Sequence, residues 1–315
     1  MQALGSFFAC PPELFFRPIQ ILRLCRRVRE RSPNEFEEVV LPWRHKIKVR
    51  PDEYIGSCIW TMGLYDLCLC ESIWKLLDPG EFAVDVGANI GQMTSVMAAR
   101  VGRSGKVFAF EPHPEIYEEL LANINLWVET PNLAKISPHQ VALSAQADKG
   151  CLYIPESKIW GAGFGTNRAI ASLDLDSDKT SAEPKNYVVV QLERLDQLLE
   201  DNQYIGLLKI DVEGHELAVL KGAVKLINKN QIRDIIFEEH ANDPHATLVT
   251  NFLEEHGYTL FYLIKEFWGL DAGSLKEGRA KYSNKVYYNC LATKEPERAL
   301  TRLKKRGWAV LGVAF

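Results

Sequence analysis

From residue 82 onward the sequence alternates short apolar runs with stretches of helical periodicity, and this alternation constrains the fold more than any other feature. FAVDV (82–86) is apolar apart from one acid, the pattern of a strand covered on both faces. GQMTSVMAARVG follows at helical spacing, then KVFAFE as a second strand and PEIYEELLANINLW as a second helix. KISPHQVAL reads as a third strand, with an irregular start at Pro138. Strand–helix–strand repeats of this kind close through right-handed crossovers and give a parallel sheet flanked by helices. The expected class is therefore α/β.

The alternation pauses over residues 151–187, rich in Gly, Ser, Asp and Asn with WGAGFGTN at its centre. A connection of that length in a compact domain usually carries function. YVVVQL then reads as an extra strand and ERLDQLLE as a helix. LLKID is a fourth core strand, entering a helix near Gly214 that runs to about Asn228, and DIIFEE is a fifth. TLVTNFLEEHG is helical, and YTLFYLI and KVYYNCLA close the pattern as a hairpin-like pair. Upstream, IQILRLCRRVRE carries a helical stripe through Ile19, Leu22 and Val28, HKIKVRPDEY alternates like an edge strand, and GLYDLCLCESIWKLL is a helix ended by Asp78, Pro79 and Gly80. ERALTRLKKRGW is a basic helix near the end. Three parts follow: a basic N-terminal extension over 1–50, a main domain over 51–295 and a basic C-terminal helix or tail over 296–315.

A net charge of −4 gives no reason to expect nucleic acid, but the charge is uneven: residues 1–50 carry +5 and the remainder −9. The basic arm can meet a membrane surface or an acidic partner, or form a solvated helix face. Arg17 interrupts the N-terminal apolar patches, so no secretory signal is expected, and no run approaches the ~20 apolar residues of a membrane span. The seven cysteines are scattered, and Cys68 and Cys70 lack the spacing of a metal or redox pair, as expected of reduced thiols in a cytoplasmic protein.

FAVDVGANIG (82–91) is a glycine-bearing turn from strand to helix. Asp85 lies inside the apolar strand and needs partners, expected from the loop's N–H groups or from a ligand. Gly87 and Gly91 let a ligand approach the backbone, but Asn89 replaces the middle glycine of the dinucleotide fingerprint, which weighs against a dinucleotide. Glu111 ends the second strand, twenty positions after Gly91, where an acid accepts hydrogen bonds from both hydroxyls of a ribose; Pro112 then turns the chain away. A bare strand–helix turn is the alternative. In LLKIDVEGHE, Lys209 and Asp211 share a face and Asp211 reaches the carboxyl end of its strand, where open α/β sheets bind ligands. Glu238, Glu239 and His240 end the next strand in the same way. Asp211, Glu213, His215, Glu238 and His240 contain metal-ligating types, but nothing fixes a ligand geometry and no metal is expected.

VDVGANIGQMT, VFAFEPHPEIYEELLANI, LLKIDVEGHELAVLKGA and IIFEEH, in that order, resemble the FkbM-type methyltransferases, which are S-adenosylmethionine-dependent enzymes of the class I Rossmann-like fold. The resemblance covers roughly residues 52–265. GLYDLCLCESIWKLLDPGE resembles the family's segment before the first strand, with Asp66 where the family often has Glu. The resemblance implies a mostly parallel seven-stranded sheet flanked by helices, here with an N-terminal helical extension. It implies S-adenosyl-L-methionine as cofactor. Asp85, Gly87, Asn89 and Gly91 would shape the loop around its methionine part, Glu111 and Pro112 would stand at the ribose, and His113 and Ala142 at the adenine. It further implies methyl transfer to a hydroxyl of a sugar or related small metabolite, so the partner is a small-molecule or glycan acceptor. Asp211, Glu238 and His240 are the candidate bases and Lys209 an orienting group. Residues 153–175, with Trp160 and Phe164, are the expected acceptor cover. A nicotinamide-dependent oxidoreductase and a non-catalytic cofactor-binding module remain the alternatives.

Overall fold

The structure, a computed structural model, describes residues 12–16, 36–154, 172–174, 187–200, 202–239, 247–275 and 289–314. Ahead of the alternating region lie α1 (Pro12–Phe15), the antiparallel pair β1 (Glu37–Val40) and β2 (Lys46–Val49), and the helices α2 (Tyr54–Met62) and α3 (Leu67–Leu76). The alternation runs β3 (Phe82–Val86), α4 (Gln92–Val101), β4 (Lys106–Phe110), α5 (Pro114–Trp127), β5 (Lys135–His139). A second sheet follows, from β6 (Ala142–Leu143), β7 (Asp148–Tyr153), β8 (Ser172–Asp174) and β9 (Tyr187–Glu193), in the order β6-β9-β7-β8. The chain then returns through α6 (Leu195–Leu198), β10 (Ile205–Ile210), α7 (Glu216–Gly222), α8 (Val224–Asn228), β11 (Ile232–Glu238) and α9 (Leu248–Glu255). It closes with β12 (Thr259–Glu266), β13 (Gly269–Ser274), β14 (Asn289–Thr293), α10 (Pro296–Leu303), β15 (Gly307–Trp308) and β16 (Val313–Ala314).

The main sheet has the order β13-β12-β14-β11-β10-β3-β4-β5. Neighbours from β5 to β11 pair in parallel; β14 is antiparallel to both β11 and β12, and β13 to β12. This is the class I Rossmann-like architecture implied by the resemblance, with two differences. The sheet is mixed, and it has eight strands rather than seven, because β13 pairs along β12. GLDAGS carries two glycines and no β-branched residue, so nothing in its composition marks a strand. KISPHQVAL also divides: β5 stays in the main sheet while β6 crosses to the second one. The helix expected from Gly214 to Asn228 breaks at Ala223 into α7 and α8. The helical reading of residues 19–28 and most of residues 155–186 lie outside the described residues.

The strand pleat sorts the core into two faces. Ala83, Val107, Leu207 and Ile236 point to one cluster, and Val84, Phe108, Leu208, Ile210 and Phe237 to the other. The first face is covered partly from the chain's two ends: Ile47 and Val49 of β2, and Leu303, Trp308 and Val310, are buried in that same cluster. Asn123 on α5 ties β2 to the glycine loop. Its side chain accepts from the Lys48 N–H at 2.7 Å and donates to the carbonyls of Lys48 and Ile90 at 3.1 and 2.9 Å. The basic helix α10 spends its arginines internally. Arg298 reaches Asp234 and Asp78, Arg302 reaches Asp78 at 2.8 Å, and Thr293 donates to Asp234 at 2.6 Å. The five cysteines among the described residues form no disulfide, and Cys68, Cys70 and Cys290 are buried.

Candidate active site

At the carboxyl end of β3 the chain turns sharply through three left-handed positions, Gly87 (φ 74°), Asn89 (φ 49°) and Gly91 (φ 94°). The N–H groups of Gly87 and Ala88 both donate to the Phe110 carbonyl at 3.0 Å, which lashes the loop to β4. Neither glycine accepts a side chain: a Cβ on Gly87 would lie 1.9 Å from the Asp211 carbonyl oxygen, and one on Gly91 2.7 Å from Leu120. Asn89 tolerates its strained backbone because its side-chain oxygen accepts from the next N–H, Ile90, at 2.8 Å. Gly91 then opens α4.

Asp85 lies behind this loop, fully buried. Its partners are side chains rather than the loop N–H groups expected from the sequence: the Thr94 hydroxyl donates to it at 2.6 Å and the Lys209 ammonium stands 3.1 Å away. Lys209 also donates to the Gly87 carbonyl at 2.8 Å and lies 3.4 Å from Asp211. Burial works against the charge on Lys209, but Asp85 and Asp211 outweigh it and hold its pKa above the ordinary lysine value. Lys209 thus stays protonated, fastening the loop from beneath and setting the position of Asp211.

Glu111 follows β4 and is buried. One carboxylate oxygen accepts from the Asn89 N–H and the other from the His113 N–H, both at 2.9 Å. Burial pushes its carboxyl up to about 7, while those two backbone bonds pull it down. Two N–H donors use half of the lone-pair capacity of a carboxylate, so Glu111 can accept two more hydrogen bonds.

Nine of the residues singled out in the sequence line one cavity: Gly87, Asn89, Glu111, Pro112, His113, Ala142, Asp211, Glu213 and Glu238. Asp85, Gly91 and Lys209 stand behind its wall, while His240, Trp160 and Phe164 lie outside the described residues. His113 also caps α5. His215 turns to Ser144, with 3.0 Å between Nε2 and Oγ. Among the described residues no group of three or more His, Cys, Asp or Glu side chains is placed to hold a metal ion.

The sequence reading missed Tyr65, which lines the cavity on the side of Asp211 and Glu238. Burial, then the carboxylates of Asp66, Asp211 and Glu238, raise its phenol above the ordinary tyrosine value, so it remains a hydrogen-bond donor. Asp66, left without a role in the sequence, caps α3 through the Leu69 N–H at 2.9 Å and accepts from Asn289 at 2.8 Å. The signal lay in GLYDLCLCESIWKLL, where Tyr65 and Asp66 sit just before the helix.

The cavity suits an adenosyl group. Ile116, Val141, Leu143 and Leu152 offer apolar walls for a flat ring, and Glu111 offers acceptor capacity for two hydroxyls. Comparison with known proteins agrees. Residues 85–260 match the methyltransferase FkbM domain. The 31-O-demethyl-FK506 methyltransferase FkbM of Streptomyces tacrolimicus is 31% identical over 58% of this chain and 75% of its own length. The hexuronic acid methyltransferase AglP of Haloferax volcanii is 30% identical over 54% of this chain and 60% of its own. The AMB antimetabolite synthetase AmbE of Pseudomonas aeruginosa is 25% identical over 93% of this chain, which spans only 14% of that protein. With that domain matched over more than half of its length, the chain belongs to the FkbM methyltransferase family.

Proposed function

We propose that this methyltransferase moves the methyl group of S-adenosyl-L-methionine to a hydroxyl oxygen of a sugar or related small metabolite. The observation that carries the reading is the cavity itself. It has Glu111 and the glycine loop on one side, and two strand-end carboxylates, Asp211 and Glu238, with the Tyr65 phenol on the other. The cofactor supplies an electrophilic methyl on a sulfonium, so the protein's tasks are orientation and proton removal. Gly87, Asn89 and Gly91 shape the donor side, Glu111 holds the ribose hydroxyls, and Pro112 and Ala142 complete the wall. On the acceptor side a hydroxyl is a poor nucleophile until its proton finds a base. Asp211 and Glu238 are that base and its neighbour, with Lys209 keeping Asp211 in place and Tyr65 donating to an acceptor oxygen. FkbM, named for a 31-O-demethyl substrate, and AglP, named for a hexuronic acid, support an oxygen acceptor of this class.

The test pairs calorimetry with turnover. Wild type is expected to bind S-adenosylhomocysteine and not NAD, and to methylate sugar hydroxyls with labelled donor. Asp211→Asn with Glu238→Gln should lower kcat by about a hundredfold or more while leaving S-adenosylhomocysteine affinity close to wild type. Full turnover by that double variant would remove the base from the mechanism, and tight NAD binding would return the oxidoreductase alternative.

A further inference from the structure

We propose that an aromatic cluster at the β12–β13 turn, rimmed by basic residues, docks this protein on an anionic lipid surface. Phe267 and Trp268 make the turn, with ring centroids 5.0 Å apart. Phe15 and Phe16 pack on them from a remote part of the chain: Phe15 lies 5.1 Å from Phe267 and 6.5 Å from Trp268, and Phe16 lies 5.9 Å from each. The cluster is not a core. Phe15, Phe267 and Trp268 remain 51%, 36% and 53% exposed. Contiguous apolar surface of this kind on a water-facing turn marks an interaction site.

The backbone beneath the rings is pinned. The Gly307 N–H donates to the Trp268 carbonyl at 2.8 Å, and the buried Trp308 indole donates to the Phe267 carbonyl at 3.0 Å. That same connection brings a cationic stretch alongside. Lys304, Lys305 and Arg306 are exposed, and Arg306 bridges to Gly269 next to Trp268. In a chain of net charge −4, this places the apolar rings beside three exposed cations, of which Lys304 lies 3.5 Å from Asp271 on β13.

Aromatic rings settle at the headgroup level of a bilayer, and each nearby lysine or arginine adds attraction to anionic lipid. The Phe267 and Trp268 rings stand on a two-residue turn at the edge of the sheet. A lipid interface accepts such a turn without a matching pocket, whereas a protein partner must supply one.

The experiment sediments the full chain with vesicles of phosphatidylcholine alone, or of equal parts phosphatidylcholine and phosphatidylserine. Binding is expected to the mixed vesicles and not to phosphatidylcholine alone. Lys304→Glu/Lys305→Glu/Arg306→Glu should weaken it about tenfold or more, and Phe267→Ser/Trp268→Ser by a similar factor, with circular dichroism reporting that both variants are folded. Absence of binding to the mixed vesicles overturns the proposal. So does full binding by the aromatic variant, which assigns the attraction to the basic sequence alone. A dimer in sedimentation velocity that the aromatic variant dissolves also overturns it, because a second copy then covers the rings. If the aromatic variant fails to fold, tryptophan quenching by brominated lipid takes its place. Quenching should fall in Trp268→Phe, and undiminished quenching overturns the proposal.

Discussion

As the proposed ribose ligand, Glu111 joins two demands that oppose each other: it would be buried to meet a ribose inside the cavity and ionised to accept from both hydroxyls. Burial pushes its carboxyl up to about 7, against the pull of the Asn89 and His113 N–H groups. A protonated Glu111 has to lose its proton before it serves both hydroxyls, so ligand binding releases a proton below that value. By calorimetry, S-adenosylhomocysteine affinity is expected to rise by up to about tenfold per pH unit and level off above about pH 7. Glu111→Gln should flatten this profile and lower the affinity about ten- to hundredfold. A Gln variant that keeps the wild-type slope would place the titrating group elsewhere. On the acceptor side, Tyr65→Phe removes one donor without changing shape. The acceptor KM should rise about three- to tenfold with donor affinity intact, and a loss of donor affinity instead would move Tyr65 to the other half of the cavity. Glu111 was legible because one helix and one strand fix its distance from the loop. Tyr65 was not, since it enters from before the first strand and only the closed fold brings it to Asp211.

Elements were readable where periodicity and burial agree. The strands β3, β4, β10 and β11 are continuous apolar runs because both their faces are covered, and the helices between them carry stripes. β13 escaped because its burial comes from pairing with β12 and not from side-chain pattern. The basic reading of the C-terminal helix was right in sequence and incomplete in space, because charge in a sequence does not say which side a helix turns inward. α10 faces Asp78 and the fully buried Asp234, and Arg233, itself 5% exposed, joins Asp234 at 3.0 Å and pairs with Glu81. This network sits at the amino ends of β3 and β11, opposite the cavity, and serves the fold. Asp234→Ala should strip Arg233 and Arg298 of a shared partner and lower unfolding free energy by about 3–5 kcal/mol, read by urea denaturation, with S-adenosylhomocysteine affinity of the folded fraction unchanged. A loss below about 1 kcal/mol would mean that Glu81 and Asp78 carry both arginines alone.

The molecule as a whole carries two buried groups whose titrations pull stability in opposite directions. His45, at the β1–β2 turn, is buried beside Trp127, and burial lowers its pKa to about 4 against a bond to the Ser95 backbone. A histidine whose folded value is depressed contributes stability that is present above its unfolded value, near 6.5, and fades as pH falls toward about 4, because the unfolded chain takes up the proton first. Glu111 has the opposite sign. Its folded value is raised, so its contribution is present below an unfolded value near 4.5 and is lost as pH rises through about 7. Each shift corresponds to at most about 3 kcal/mol, and between about pH 4.5 and 6.5 the two slopes nearly cancel. Single variants separate them. In denaturant midpoints without ligand, wild type minus His45→Gln should shrink in favour of the variant as the solution is acidified, by up to about 3 kcal/mol. Wild type minus Glu111→Gln should move the other way over the same range. If His45→Gln leaves the pH dependence of stability unchanged, the β1–β2 hairpin opens before the sheet unfolds, and the cover it gives to the first core face is then a separate cooperative unit.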